Sequence, residues 1–197
     1  MTTRQKPYRR RRVLPWAVAP AAAAALLATV LTGCASSQAA EPAASTPPPT
    51  LVSRLAEGPS DAAHLVCTTT ADNEITGALG IDTTKPLAPT WKDHLYSCRY
   101  VFADGSMLLS VKDLGSAAAT TSWFDGLRDA APGSTPLSGM GDGAFQRADG
   151  SVVVRKDQAV LVVDVTALPA NVGKPVRPRA VAARTVAQTV LICWKEY

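Results

Sequence analysis

The segment 98–111 constrains the fold more than any other part of this chain. It reads CRYVFADGSMLLSV, with apolar side chains at alternate positions on both sides of Asp104-Gly105. Asp-Gly is a preferred pair for a two-residue β-hairpin turn, whose central positions need positive φ. A loop of those two residues fixes the facing pairs, which are Phe102 with Met107, Tyr100 with Leu109 and Cys98 with Val111. The pattern therefore predicts a hairpin with one apolar face and a mixed face that carries Arg99, Val101, Leu108 and Ser110.

Further turns and helix caps extend this prediction along the chain. The Ala-Asp-Gly-Ser turn recurs at 148–151, between strands predicted at 144–147 and 152–154, and another strand is predicted at 159–165. Caps and apolar spacing predict helices at 71–79 after Thr70, at 117–130 after Ser116, and from Pro178 onward. Because strands joined by tight turns are antiparallel, we predict an α+β fold with an antiparallel sheet of four to five strands and about three helices packed mainly on one face.

Positive charge is concentrated at the amino end of the chain. Six of the 20 basic residues lie in the first twelve positions, whereas none of the 16 acidic residues precedes Glu41. The formal net charge of the whole chain is +4, but from residue 34 onward 14 basic residues face 16 acidic ones, a net of −2. A basic cluster followed by the apolar stretch 13–31 and small residues is typical of an export signal.

The residues Leu31-Thr32-Gly33-Cys34 close this leader. They resemble the bacterial lipobox, and the resemblance implies diacylglyceryl transfer to the Cys34 sulfur and cleavage before it. We therefore expect a lipid anchor on Cys34 that holds the protein on the extracytoplasmic face of the cell membrane. A retained transmembrane segment at 13–31 is the alternative. The pattern at 10–14, RRRVL, also fits a twin-arginine signal, so the general secretory and twin-arginine routes both stay open.

Composition divides the chain into three regions. We predict a lipoprotein signal peptide at 1–33, a lipidated Cys34 with a disordered Ala/Ser/Pro-rich tether at 34–59, and a single extracytoplasmic α+β domain at 60–197. The tether has few groups able to bury apolar surface. The last region is long enough for one hydrophobic core.

Three cysteines remain besides Cys34, namely Cys67, Cys98 and Cys193. In an oxidising compartment this odd number predicts one disulfide and one leftover thiol. We favour a disulfide between Cys67 and Cys98, which would join the first helix to the first hairpin. Pairing of Cys67 with Cys193 is the open alternative.

The chain offers few residues suited to catalysis or metal binding. Its two histidines, His64 and His94, and its cysteines form no close ligand pair such as CxxC or HxxxH, and it has no G-x-S-x-G motif. The segment 139–143, GMGDG, is followed by a predicted strand, so it does not fit a dinucleotide-binding loop. We predict no catalytic residue, no metal, no cofactor and no nucleic-acid partner.

A set of short motifs runs along the domain. They are Cys67, the helix end ITGALG at 75–80, SCRY at 97–100, LSGMGDGAF at 137–145, VRKD at 154–157, and Cys193-Trp194. Together they resemble uncharacterised membrane-anchored envelope lipoproteins of high-GC actinobacteria. The resemblance implies an exported, membrane-anchored α+β domain, and since such proteins have no established activity, it carries over no catalytic residue.

These observations predict a non-enzymatic binding or accessory module of the cell envelope. The candidate ligand surface combines the sheet face of Val101 and Leu108 with an aromatic loop of Trp91, His94 and Tyr96, because exposed apolar patches mark contacts. An envelope protein, a lipid or a glycan would be the partner. Two alternatives stay open: an envelope hydrolase or thiol-dependent enzyme that uses His94 or Cys193, and a purely structural envelope protein.

Overall fold

The computed structural model describes residues 57–194, in which seven strands form one antiparallel sheet. The strands are β1 (Pro89–Lys92), β2 (Leu95–Phe102), β3 (Gly105–Asp113), β4 (Thr135–Leu137), β5 (Gly143–Gln146), β6 (Val152–Lys156) and β7 (Ala159–Asp164). They lie side by side in the order β1-β2-β3-β7-β6-β5-β4. The predicted α+β class with an antiparallel sheet is confirmed, whereas four to five strands is too few. The predicted signal peptide, Cys34 and nearly all of the predicted tether lie outside the described residues.

The strands that the sequence did not predict are short, and two of them contain proline. Strands β1 and β4 form the two edges of the sheet and contain Pro89 and Pro136. Proline cannot donate to a strand ladder, so in a sequence it argues against a strand. Both prolines are tolerated here because they lie on edge strands. A separate small ladder, of β8 (Asn171–Val172) and β9 (Arg177–Pro178), precedes the last helix.

The first hairpin forms as predicted, but its register differs by two residues. Phe102 pairs with Gly105 and Tyr100 with Met107, so Ala103 and Asp104 make the turn. Gly105 has a φ of 152°, and a Cβ on it would lie 2.4 Å from the carbonyl oxygen of Ala167. The glycine thus begins β3 where only a residue without a side chain fits. Because a shift of two preserves side-chain alternation, the predicted division of the faces is unchanged.

Four helices accompany the sheet within residues 57–194. They are α1 (Asp61–Leu65), α2 (Thr69–Leu79), α3 (Ala117–Asp129) and α4 (Arg179–Cys193). The cap of α2 is Thr68 and not Thr70, because the Thr68 hydroxyl accepts a hydrogen bond from the Ala71 amide at 3.1 Å. The helix ends at Leu79, as predicted, and Gly80 follows it in the left-handed conformation. Ser116 caps α3 and α4 begins directly after Pro178, both as predicted.

The sheet separates a large core from a small one. On one face, side chains such as Tyr100 and Leu109 pack against α1, α2 and α4. On the other face, Phe124 of α3 packs on Phe145, Val153 and Val160 of strands β5, β6 and β7. The helices therefore lie mainly on one face, as predicted, and α3 covers only part of the opposite face.

A disulfide joins the start of the helical layer to the sheet. Cys67 lies between α1 and α2, and its sulfur is bonded to that of Cys98 in β2, with 5.4 Å between the Cα atoms. This confirms the favoured pairing over the alternative with Cys193. Cys193 is a free cysteine near the end of α4.

Candidate functional site

The five residues predicted to form a ligand surface lie on two opposite faces of the sheet. Trp91 pairs with Tyr96, which pairs with Val111 on the side of the large core. Val101 and Leu108 point to the other side. The structure therefore does not bring the aromatic group and the aliphatic pair into one site.

The segment 91–96 is a tight hairpin and not a loop, which corrects the sequence-based prediction. Asp93 and His94 make its turn with φ values of 50° and 59°. Tyr96 is only 6% exposed, its ring lies 5.1 Å from that of His64, and burial raises its pKa. Tyr96 belongs to the large core because β2 lies between β1 and β3 and directs this side chain toward the helices. Since β1 was not predicted, the sequence placed Tyr96 in a loop.

The aromatic hairpin holds the segment that leads into the domain. The Trp91 indole nitrogen donates a hydrogen bond to the Glu57 carbonyl at 3.2 Å, and its ring lies edge-on to His94 at 5.7 Å. Nearby along the chain, the Ser60 amide and hydroxyl both donate to the Asp113 carboxylate, at 2.9 and 2.8 Å. We conclude that Trp91 fixes residues 57–60 against the sheet, which is a structural role.

The face that carries Val101 and Leu108 remains partly exposed over strands β1, β2 and β3. Helix α3 packs mainly on β6 and β7, and its Trp123, 43% exposed, borders this area. We call the area the open face and define it by its side chains, which are Lys92, Leu95, Arg99, Val101, Leu108 and Lys112. Leu95 is 38% exposed, so the open face presents apolar surface to solvent.

The open face is positively charged. Lys92, Arg99 and Lys112 form no ion pair with any carboxylate within residues 57–194. Asp164 of β7 pairs with Leu108 of β3. Its carboxylate accepts hydrogen bonds from the amide and hydroxyl of Thr166, at 2.9 and 2.7 Å. Three cations outnumber the one carboxylate on this face, and this local excess of positive charge attracts anions.

Two contacts orient the cations at the rim of the open face. The Lys112 ammonium donates to the Asp93 carbonyl and lies 5.1 Å from the centre of the Trp123 ring. A guanidinium nitrogen of Arg99 donates to the Ser106 hydroxyl at 3.2 Å. Arg99 was predicted on this face without a role, and neither lysine was predicted there. Lys92 and Lys112 each pair with Leu95 from a neighbouring strand, so only the pairing of β1, β2 and β3 brings the two lysines to this face.

The candidate catalytic residues do not meet a partner suited to catalysis in the described part of the chain. His94 Nδ1 is buried without a hydrogen-bond partner there. Cys193 borders a narrow apolar crevice with Leu65, Ile75 and Val190. Among residues 57–194, no cluster of three or more His, Cys, Asp or Glu side chains forms a metal site.

Comparison of the chain with protein-family models, with curated proteins and with solved structures finds no match. In the part of the chain that the structure describes, no helix combines the length and the apolar character needed to cross a membrane. The function is therefore inferred from the residues of this chain alone.

Proposed function

We propose that the protein is a lipid-anchored extracytoplasmic binding module that uses its open face to hold an acidic partner protein of the cell envelope. Its leader and the Leu31-Thr32-Gly33-Cys34 motif support anchoring through Cys34. The disulfide between Cys67 and Cys98 supports export, because such bonds persist in oxidising compartments.

The observation that carries the binding proposal is the combination of exposed apolar side chains with unpaired cations on one sheet face. Leu95 and Trp123 supply the apolar surface, and Lys92, Arg99 and Lys112 surround it. Exposed apolar surface rimmed by polar residues is a common mark of a protein-interaction site. Charge complementarity selects a partner surface rich in Asp and Glu around an apolar centre.

Site-specific photo-crosslinking in native membranes tests this function. We place p-benzoylphenylalanine at the position of Leu95 and, as a matched control, at the position of Thr70, which is exposed on α2 beyond the other face of the sheet. The Leu95 position should give one protein adduct whose crosslinked peptide is acidic, and the Thr70 position should not.

Charge reversal separates specific binding from incidental contact. We expect Lys92→Glu combined with Arg99→Glu to lower the adduct yield at least about tenfold, because like charges then face each other. Both side chains are exposed, so the fold should tolerate the change. A yield that does not respond to charge reversal, equal adducts at both positions, or a lipid adduct alone would contradict the proposal.

A further inference from the structure

A cleft lies between α3 and the strands β4 and β5, across α3 from the open face. Its volume is about 580 Å³, which falls in the range of small-molecule sites. Thr121, Phe124 and Arg128 of α3 form one wall, Leu137 of β4 forms the other, and Arg155 of β6 also lines it. No part of the proposed partner-binding function uses these residues.

Arg155 is held in place by neutral groups and not by a carboxylate. One terminal guanidinium nitrogen donates to the Thr121 hydroxyl, and the other donates to the Asp142 carbonyl at 3.1 Å. The guanidinium carbon lies 5.8 Å from the centre of the Phe124 ring, and Nε is buried without a partner in the described chain. Within residues 57–194 no ion pair involves Arg155.

The hydrogen-bond inventory of Arg155 leaves donors for a ligand. Each terminal nitrogen of a guanidinium carries two N–H groups. The two contacts to Thr121 and Asp142 use one on each nitrogen, so one N–H remains on each. A guanidinium with a free N–H on each terminal nitrogen can donate to both oxygens of a carboxylate, the bidentate mode in which arginine binds anions.

The other cleft residues restrict the ligand further. Phe124 and Leu137 supply apolar walls, so the anion should carry an apolar group. Asp125 and Asp142 also line the cleft, and their negative charges disfavour a dianion such as a phosphate monoester more strongly than a monoanion. Arg128 is already paired with Asp125 at 3.0 Å, which leaves Arg155 as the guanidinium available to a monoanion.

We infer that this cleft is a binding site for small organic carboxylates with an apolar or aromatic group, and that Arg155 binds the carboxylate through two N–H groups. The ligand contacts Phe124 and Leu137 with its apolar part. The site is separate from the open face, so it can fail or hold independently of the proposed partner binding.

Ligand-observed fluorine NMR on the full chain in a nonionic detergent tests the inference. The probes are para-fluorohydrocinnamate, para-fluorophenylpropanol as its uncharged analogue, and para-fluorobenzyl phosphate. We expect the carboxylate to bind at least about tenfold more tightly than the alcohol, since a charge-assisted hydrogen-bond pair is lost with the latter. Equal affinity of the two, or tighter binding of the phosphate, would overturn the assignment.

Three variants link the affinity to the guanidinium. Arg155→Met keeps the aliphatic stem and should weaken carboxylate binding about tenfold. Arg155→Lys keeps the charge but lacks the paired donors, so it should also weaken binding several-fold, and it decides the matter if Arg155→Met does not fold. Arg177→Met removes a guanidinium on β9 and should leave binding unchanged. Wild-type affinity in Arg155→Lys would overturn the inference.

Discussion

At the scale of single residues, Tyr100 links the sheet to the helical layer beside the disulfide. Its side chain is fully buried, and its hydroxyl donates a hydrogen bond to the Val66 carbonyl at 2.8 Å. Val66 directly precedes Cys67, whose disulfide reaches the same strand as Tyr100. Burial, and to a smaller degree the negative charge of Asp72, raises the pKa of the Tyr100 hydroxyl above its ordinary value of 10.0.

This raised pKa makes stability depend on alkaline pH. Below pH 10.0 the hydroxyl is protonated in both states and its contribution is complete. Above that pH the unfolded chain loses the proton first, so the free energy of unfolding falls as pH rises. Tyr100→Phe should cost about 1 kcal/mol near neutral pH through the lost hydrogen bond, but should reduce the loss between about pH 10 and 12. Urea unfolding near neutral pH and between about pH 10 and 12 measures this. An equal decrease in the free energy of unfolding at alkaline pH in the wild type and Tyr100→Phe would contradict it.

The disulfide gives a second prediction at this scale. Closing a loop of 31 residues contributes about 3.7 kcal/mol in the chain-entropy model. Reduction should therefore destabilise the wild type by about this amount and have no effect on Cys67→Ala combined with Cys98→Ala. Cys193→Ala should keep the sensitivity of the wild type, because Cys193 is not bonded. Denaturant unfolding with and without reductant measures these differences, and loss of the sensitivity in Cys193→Ala would refute the pairing.

At the scale of elements, two glycines with different surroundings predict opposite effects. Gly126 lies within α3, and a Cβ there would meet nothing within 4 Å. Gly141 precedes β5 with a φ of 54°, and a Cβ there would lie 2.4 Å from the Arg155 carbonyl oxygen. Gly126→Ala should stabilise the protein by about 0.5–1 kcal/mol, whereas Gly141→Ala should destabilise it by more than about 1 kcal/mol. Urea midpoints that move in the same direction would contradict this reading.

Local sequence patterns predicted those features of the helices and strands that depend on residues close together in the chain. Alternation in 98–111 placed Val101 and Leu108 on one face, and the capping pattern placed Ser116 at the start of α3. The turn residues of the first hairpin were not predictable, because the carbonyl of Ala167, far along the chain, is the group that approaches Gly105.

The candidate site depended more on long-range pairing than on local pattern. Tyr96 is buried because β2 lies between β1 and β3 and directs this side chain into the large core. Strand β1 has only four residues and contains proline, so the sequence did not indicate it. For the same reason Lys92 could not be assigned to the open face. Arg155 lines the cleft because α3 packs over β6, and no pattern in the sequence around Arg155 indicates this contact.

At the scale of the whole molecule, charge has different meanings in different regions. The basic leader fits a role in export, and the chain from residue 34 onward has a formal net charge of −2. The open face nevertheless concentrates Lys92, Arg99 and Lys112. A locally positive surface on a mildly acidic chain fits selective binding of an acidic partner better than general attraction to anions.

Metabolic labelling with radioactive palmitate tests the anchor genetically. The proposed lipid is attached through the Cys34 sulfur, so the wild type should incorporate label and Cys34→Ala should not. Cys193→Ala removes another thiol outside the leader and should incorporate label as the wild type does. Retention of label in Cys34→Ala would place the acyl chains elsewhere.

The residue at which the mature chain begins, and the group that it carries, decide whether the protein is lipid-anchored. Mass spectrometry of the amino-terminal peptide, isolated from membranes, measures both directly. We predict a peptide that begins at Cys34, because cleavage removes residues 1–33. It should carry a diacylglyceryl group that tethers the domain to the membrane. An unmodified terminus at any residue other than Cys34 would contradict the proposal of a lipid-anchored binding module.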